Sequence, residues 1–269
     1  MGQPALPRLG QPTVKTQAHW DFTPDEFAWV WAETEQDEYP YPISIIETPS
    51  TADEYTQLRR EISSRYPRNA DPDLTAALRL LADPDLRIIC TGKIHDSTRK
   101  LRSLAVATGD AGAVLFQKYS ATSEFGGALR VVVTRSQNLG KHIAATMHTA
   151  TPGRAGPMTG YTPRVRGDEP PTTWFVSSDG DLPPEERIRA LLRAPRTAEG
   201  HLCIEQRRHS RHPHPPVYLN WIDIADDHPA AGRYLIDVGA DTTVIPASRE
   251  VITAELYRRA GLFAYSAPE

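Results

Sequence analysis

Proline positions constrain the fold of this chain more than any other feature of its sequence. The chain has 269 residues and 24 prolines, but no proline lies between Pro84 and Pro152. Proline lacks a backbone N–H and is excluded from helix interiors and central strands. The proline-free run from residue 85 to residue 151 can therefore hold the centre of a sheet. The proline-rich flanks are expected to hold loops and the ends of elements.

The proline-free run carries four β-rich segments. Gly109-Asp110-Ala111-Gly112 separates the second from the third and is typical of a hairpin turn. Short connections favour antiparallel pairing, because parallel strands need long crossovers. A helix is expected from Ser136, with Leu139, Ile143 and Met147 on one face. The predicted strands are residues 86–91, 101–107, 113–119 and 128–134.

Helix start signals precede this run. Thr23 and Glu26 have the spacing of a capping box, and so do Thr51 and Glu54. A third helix is expected to begin after Asp71, whose side chain can cap it. The sequence also predicts two other segments here: a flexible tail over residues 1–19 and a short strand over residues 43–46.

The second half of the chain repeats this order of elements. Leu80-Leu81 precedes the first strand, and Leu191-Leu192 precedes the later strands 111 residues further on (191 − 80). Residues 151–180 contain five prolines and five glycines, which predicts a linker or long loop. A last helix is expected from Ser248, with Gly261 as its left-handed cap. The later predicted strands are residues 201–207, 217–224, 234–238 and 242–245.

These elements predict one α+β domain made of two related αββββα halves. Residues 20–150 form the N-terminal half and residues 181–269 the C-terminal half. A single four-stranded layer has little core, so we expect the halves to join edge to edge into one central antiparallel sheet. Helices would flank this sheet, and a pseudo-twofold axis would relate the halves.

Composition and charge exclude several classes of protein. Lys and Arg total 30 against 34 Asp and Glu, so a net charge of −4 offers no basic field to nucleic acid. No run of 18 apolar residues exists, and the first residues lack the apolar core of a signal peptide. Two cysteines, Cys90 and Cys203, cannot build a disulfide framework. We therefore expect a soluble, cytoplasmic protein without a membrane span.

No segment carries a catalytic signature. The chain has no P-loop, no G-x-S-x-G elbow and no H-E-x-x-H helix. His209, His212 and His214 have the residue type of a zinc site, but zinc usually takes four ligands, and a solvated loop also explains them. We predict no enzyme, and no catalytic, cofactor-binding or metal-binding residue.

Two alternatives remain open at the level of sequence. One is a ligand- or metal-binding, enzyme-like domain with its site between the halves, lined by His201, His209 or His212. The other is a nucleic-acid-binding module that uses the arginines of residues 207–211, which should show strong salt dependence. The net negative charge disfavours the second alternative.

A series of short sequence segments, spread over residues 20–262, resembles a known protein family. The segments are FTPDEF at 22–27, PYPI at 40–43, TADE at 51–54, LLADP at 80–84, a hairpin over 104–117 and GRYLI at 232–236. In this order they resemble the EspG family of type VII (ESX) secretion-associated chaperones. The resemblance implies a central antiparallel sheet with two helical flanks. It also implies a cytosolic, non-enzymatic chaperone that binds the helical tip of a PE–PPE heterodimer.

The resemblance also indicates where a partner would bind. In the family, the loop after the first strand of the main sheet and the C-terminal helical region contact the substrate. By order of elements these are residues 93–100 and 248–260 here. Apolar residues in predicted turns could add to such a surface. The candidate partner-binding residues are Lys93, Ile94, His95, Asp96, Phe125, Tyr257 and Phe263.

The expected partner is a helical type VII secretion substrate of PE–PPE or WXG-like kind. An exposed apolar tip on such a substrate would self-associate, and a chaperone that masks the tip prevents this. We also allow for a homodimer of the chain when it is unliganded.

Overall fold

The computed structural model describes residues 18–122, 124–170, 182–207, 209–211 and 214–262. The strands are β1 (His19–Phe22), β2 (Leu86–Ile94), β3 (Lys100–Thr108), β4 (Ala111–Gln117), β5 (Leu129–Arg135), β6 (Met158–Tyr161), β7 (Arg196–Gln206), β8 (Val217–Ile224), β9 (Gly232–Val238) and β10 (Asp241–Pro246). The helices are α1 (Pro24–Trp31), α2 (Ala52–Arg65), α3 (Pro72–Ala82), α4 (Leu139–Thr146), α5 (Thr162–Arg166), α6 (Pro184–Arg193) and α7 (Arg249–Ala260).

The ten strands of the described residues form one antiparallel sheet, and the predicted central antiparallel sheet is confirmed. Their order is β1-β5-β4-β3-β2-β7-β8-β9-β10-β6. The two halves meet at the β2–β7 pair, which runs from Leu86 opposite Gln206 to Ile94 opposite Ala198. From this pair, four strands lead outward in each half, and β1 and β6 extend the two edges. The edge-to-edge joining of the halves is therefore confirmed, while their pseudo-twofold relation stays a prediction.

Helices cover the two faces of the sheet differently. On one face, α4 and α7 pack together over the centre, with Ile143 and Leu256 buried against Ile88 and Leu202. On the other face, α1 and α3 cover the first half. The helices α5 and α6 cover the outer part of the second half, where Ile188 and Leu191 lie in the same buried cluster as Ile222. Among the described residues, no helix covers the middle of this second face.

The helix ends follow the signals in the sequence. The Thr23–Glu26 capping box is present at α1, and the Thr51–Glu54 box is present at α2. Gly261 has φ 62° and ends α7, and the Leu262 N–H donates to the Tyr257 carbonyl at 3.0 Å. A glycine adopts this left-handed conformation without the steric cost that a side chain brings.

Three sequence expectations about local structure are wrong. Residues 43–46 form no strand, because Ser44 bonds the Gln117 side chain through both its N–H and its carbonyl instead of joining a ladder. His19, which we assigned to the tail, begins β1 and pairs with Val132. The segment 151–180, predicted as a linker or long loop, contains β6 and α5. Residues 1–17 and 171–181 lie outside the described part of the chain.

Candidate functional site

An open groove of about 570 Å³ occupies the uncovered middle of the second face. Side chains of β2, β7, β8 and β9 form its floor, and Leu192 at the end of α6 stands at its side. We call it the central groove. Its floor has two rows of paired residues, Thr91-His201-Asn220-Ile236 and Lys93-Glu199-Ile222. Both halves of the chain therefore contribute to it.

A pair of glycines lets the strands below the groove pack closely. Gly92 and Gly200 face each other across β2 and β7, and Trp221 lies beside Gly200 on β8. A Cβ on Gly92 would lie 2.2 Å from the Trp221 ring, and one on Gly200 would lie 2.0 Å from the Thr91 carbonyl oxygen. The indole N–H of Trp221 also reaches that carbonyl, at 3.3 Å. Only glycine fits at these two positions, so the indole can lie across both central strands.

Glu199 organises the charged end of the central groove. Lys93 Nζ lies 2.9 Å from its Oε1, and His95 Nε2 lies 3.4 Å from the same oxygen. Arg196 Nη1 donates to its other carboxylate oxygen. The hydrogen bond from Lys93, with further support from Arg196, holds the pKa of Glu199 below its usual range against the opposing effect of burial. Glu199 is therefore an anion whose charge is already shared among cations.

The rest of the floor is apolar or uncharged. The Thr91 hydroxyl lies 3.0 Å from His201 Nε2. Val238 is 42% exposed at the end of the floor away from Lys93, and Tyr218 on neighbouring β8 is 57% exposed. The groove thus offers a partner an apolar end, a polar middle and a cationic end.

The predicted loop over residues 93–100 is shorter in the structure. Lys93 and Ile94 extend β2, and Lys100 begins β3, so the connection covers residues 95–99 only. Lys93 lines the central groove and His95 joins it at Glu199. Asp96 lies in the connection with a φ of 55°. Ile94 instead packs into the core on the opposite face.

Two other predicted partner-binding residues, Phe125 and Tyr257, lie apart from each other. Phe125 is half-buried in the β4–β5 connection, at the same end of the sheet as residues 95–99. The Arg99 guanidinium lies 5.8 Å from the Tyr119 ring centroid and links these two connections. Tyr257 lies on α7, across the sheet from the groove, beside Gly140. Phe263 lies outside the described residues.

Sequence reasoning missed Glu199, Asn220 and Val238. Glu199, His201 and Cys203 alternate along β7, and this period of two is the signal that places them on one face. The predicted strand began at residue 201, so Glu199 fell outside it. Because β2 and β7 are central strands, polar residues that alternate along them mark an uncovered face.

Of the histidines proposed as alternative ligands, His201 and His209 do not converge. His201 contacts Thr91 in the middle of β7, whereas His209 lies beyond the end of β7 with its Nε2 3.2 Å from Asp83 Oδ1. His212 lies outside the described residues. Within the described ranges, no group of three or more His, Cys, Asp or Glu side chains is placed to hold a metal ion. Burial raises the pKa of the Cys90 thiol to about 12, so this thiol is protonated at neutral pH.

Comparison with known proteins identifies the family. The sequence model of the EspG family matches residues 23–258. The chain belongs to the EspG family. No curated protein matches it. None of the helices in the described part of the chain is long and apolar enough to cross a membrane.

A solved structure shares the fold. It is the Mycobacterium tuberculosis type VII secretion system chaperone EspG5, in complex with a PE25–PPE41 dimer. The two chains are 16% identical, with a TM-score of 0.59, and the match covers 92% of this chain and 98% of that one. This likeness confirms the predicted sheet with flanking helices.

Proposed function

We propose that this EspG family member is a cytoplasmic, non-enzymatic chaperone of type VII secretion. In this proposal it binds a helical substrate of the PE–PPE kind in the central groove, keeps the substrate soluble and directs it to secretion. The observation that carries the proposal is an uncovered groove in the middle of a sheet whose fold matches that of EspG5, which was solved in complex with a PE–PPE dimer.

The shape of the groove suits the end of a helical hairpin. The groove has helices on both sides, and no helix in the described part of the chain lies over its floor, which is made of paired strands rather than loops. A partner binding there would meet preformed backbone, which lowers the entropic cost of association. An apolar tip would cover Val238 and Tyr218 and remove its own apolar surface from water.

Masking of an apolar tip explains a chaperone activity without any catalysis. A substrate with an exposed apolar patch associates with itself, and a protein that binds the patch shifts the substrate to a soluble complex by mass action. A WXG-like protein also presents a helical hairpin, and it is the alternative substrate in this proposal. A homodimer of the unliganded chain is also part of this proposal.

Co-expression tests the proposal directly. The chain would be produced with PE–PPE pairs and, separately, with WXG-like proteins, and each mixture would be separated by size exclusion. We expect one PE–PPE pair to co-elute with the chain as a defined complex and to aggregate when produced alone. The matched control is the same pair with the tip of its helical hairpin removed, which should not co-elute. Failure of every PE–PPE pair and every WXG-like protein to co-elute would contradict the proposal.

A further inference from the structure

We propose that the charged end of the central groove selects partners whose helical tip carries an acidic side chain, which Lys93 and Lys100 bind together. This inference rests on the proposed function and adds a determinant of specificity to it. It follows from where the structure places cations relative to the carboxylate beside them.

Two lysines face each other at this end of the groove. Lys93 on β2 and Lys100 on β3 are directly opposite in the antiparallel register, and both are exposed. Like charges at directly opposed positions of a sheet destabilise the pairing. A sequence that keeps such a pair on an uncovered face places two ammonium groups where one anionic group can contact both.

The neighbouring carboxylate does not satisfy both lysines. Glu199 is bonded to Lys93 and to Arg196 and also lies near His95. Lys100 has no ion pair among the described residues. The groove lining thus holds three cations, Lys93, Lys100 and Arg196, against one anion, Glu199, a local balance of +2 (3 − 1).

This local charge opposes that of the whole molecule. The chain carries a net charge of −4, so the groove is a cationic site on an anionic protein. Complementary charges at an interface speed association and disfavour wrong partners. A tip with an acidic side chain would place a carboxylate between the two ammonium groups, while a basic tip would add to their repulsion.

The experiment uses a PE–PPE pair that co-elutes with the wild-type chain. Its dissociation constant would be measured by calorimetry at about 50 and about 300 mM salt, a range over which screening increases strongly. The variants are Lys100→Gln, Lys100→Glu and, as control, Arg60→Glu on the exposed side of α2. Lys100 is the better position to vary, because a change at Lys93 would also remove a partner of Glu199.

We expect Lys100→Gln to weaken binding about threefold and Lys100→Glu about tenfold at low salt, with smaller effects at high salt. Arg60→Glu should leave the affinity unchanged. Replacing the acidic tip residue of the partner with lysine should restore binding to the Lys100→Glu variant.

The possible failures are distinguishable. Equal affinity of wild type and Lys100→Glu at low salt would overturn the inference and leave the proposed function intact. Absence of any complex with the wild-type chain would overturn both. Sedimentation of the chain alone, which measures whether it forms a dimer, provides a second test. A dimer that Lys100→Glu dissociates would show that a second copy, not an acidic tip, covers these lysines.

Discussion

At the scale of single residues, two positions without side chains fix the geometry beneath the groove. Gly92 and Gly200 adjoin each other in the central strand pair, and the Trp221 ring lies where their Cβ atoms would be. The floor of the groove is therefore held by a close backbone packing that a single methyl group would break.

Gly200→Ala should lower the free energy of unfolding by about 1–3 kcal/mol, because the new Cβ must displace Thr91 or Trp221. Chemical denaturation followed by tryptophan fluorescence measures this. Gly156→Ala is the matched control, since nothing lies within 4 Å of a Cβ there and Gly156 is exposed. Equal stability of the two variants would show that the strands can part without cost.

A buried ion pair links the sheet to the segment after α4. Arg233 makes two hydrogen bonds of 2.7 Å to Asp223, and His148 Nε2 lies 2.6 Å from the same carboxylate. Burial raises the pKa of Asp223, but the bonds from Arg233 and His148 outweigh it, and the pKa lies below its usual value. The backbone of Arg233 also bonds Thr151 and Gly153, so the cluster anchors that connection.

This cluster predicts how the stability of the folded protein falls at acid pH. A depressed carboxyl pKa contributes stability that is complete above the usual Asp value of about 3.9 and is lost as pH falls through the lower folded value. Asp223→Asn should cost about 3–5 kcal/mol near neutral pH, because Arg233 would stay buried without its partner. It should also flatten the fall in melting temperature below about pH 4.

The control for this prediction is Asp227→Asn, in the exposed β8–β9 connection. Melting temperatures of the wild type and both variants would be recorded from pH 3 to pH 8, the range that includes the usual Asp pKa of about 3.9. If the melting temperature of Asp223→Asn fell with pH in parallel with that of the wild type, the loss of stability in acid could not be assigned to this carboxylate.

At the scale of elements, the sequence predicts most strands and helix caps well. It predicts poorly the strand segments that form only because they pair with another strand. The predicted strand over residues 217–224 coincides with β8, since a dense β-branched and aromatic pattern defines it. β7 begins five residues before its predicted start, because Ala198 and Gly200 are weak strand formers that pairing with β2 holds in place. β6 has four residues, too few to show a period, and pairs only with β10 among the described strands.

The first capping box offers a test at this scale. Thr23 accepts from the Glu26 N–H, Glu26 Oε2 accepts from the Thr23 N–H, and Arg65 on α2 lies 2.7 Å from Glu26 Oε1. Thr23→Ala should lower the free energy of unfolding by about 1 kcal/mol. Thr23→Ser, which keeps the hydroxyl, should stay close to the wild type. Equal loss in both variants would show that the methyl group, not the cap, matters.

At the scale of the whole molecule, the joining of two halves creates the central groove. The repeat in the sequence predicts the joining, because each four-stranded unit lacks a core of its own. The repeat does not predict which part of the sheet the helices leave uncovered, or on which of its two faces. That depends on where α3 and α6 pack, since α3 lies mainly against β3 and β4 and α6 mainly against β6. For this reason Lys93 could be predicted from the family resemblance together with the order of elements, whereas Glu199 and Asn220 could not.

The central claim is that the partner binds in the groove and not on the helical face. Calorimetry of a co-eluting PE–PPE pair with two matched variants tests it. Asn220→Trp places an indole on the exposed groove floor, and Ala254→Trp places one on the exposed surface of α7 near Tyr257. We predict at least about tenfold weaker binding for Asn220→Trp and wild-type affinity for Ala254→Trp. Wild-type affinity for Asn220→Trp, together with loss of binding for Ala254→Trp, would contradict the account.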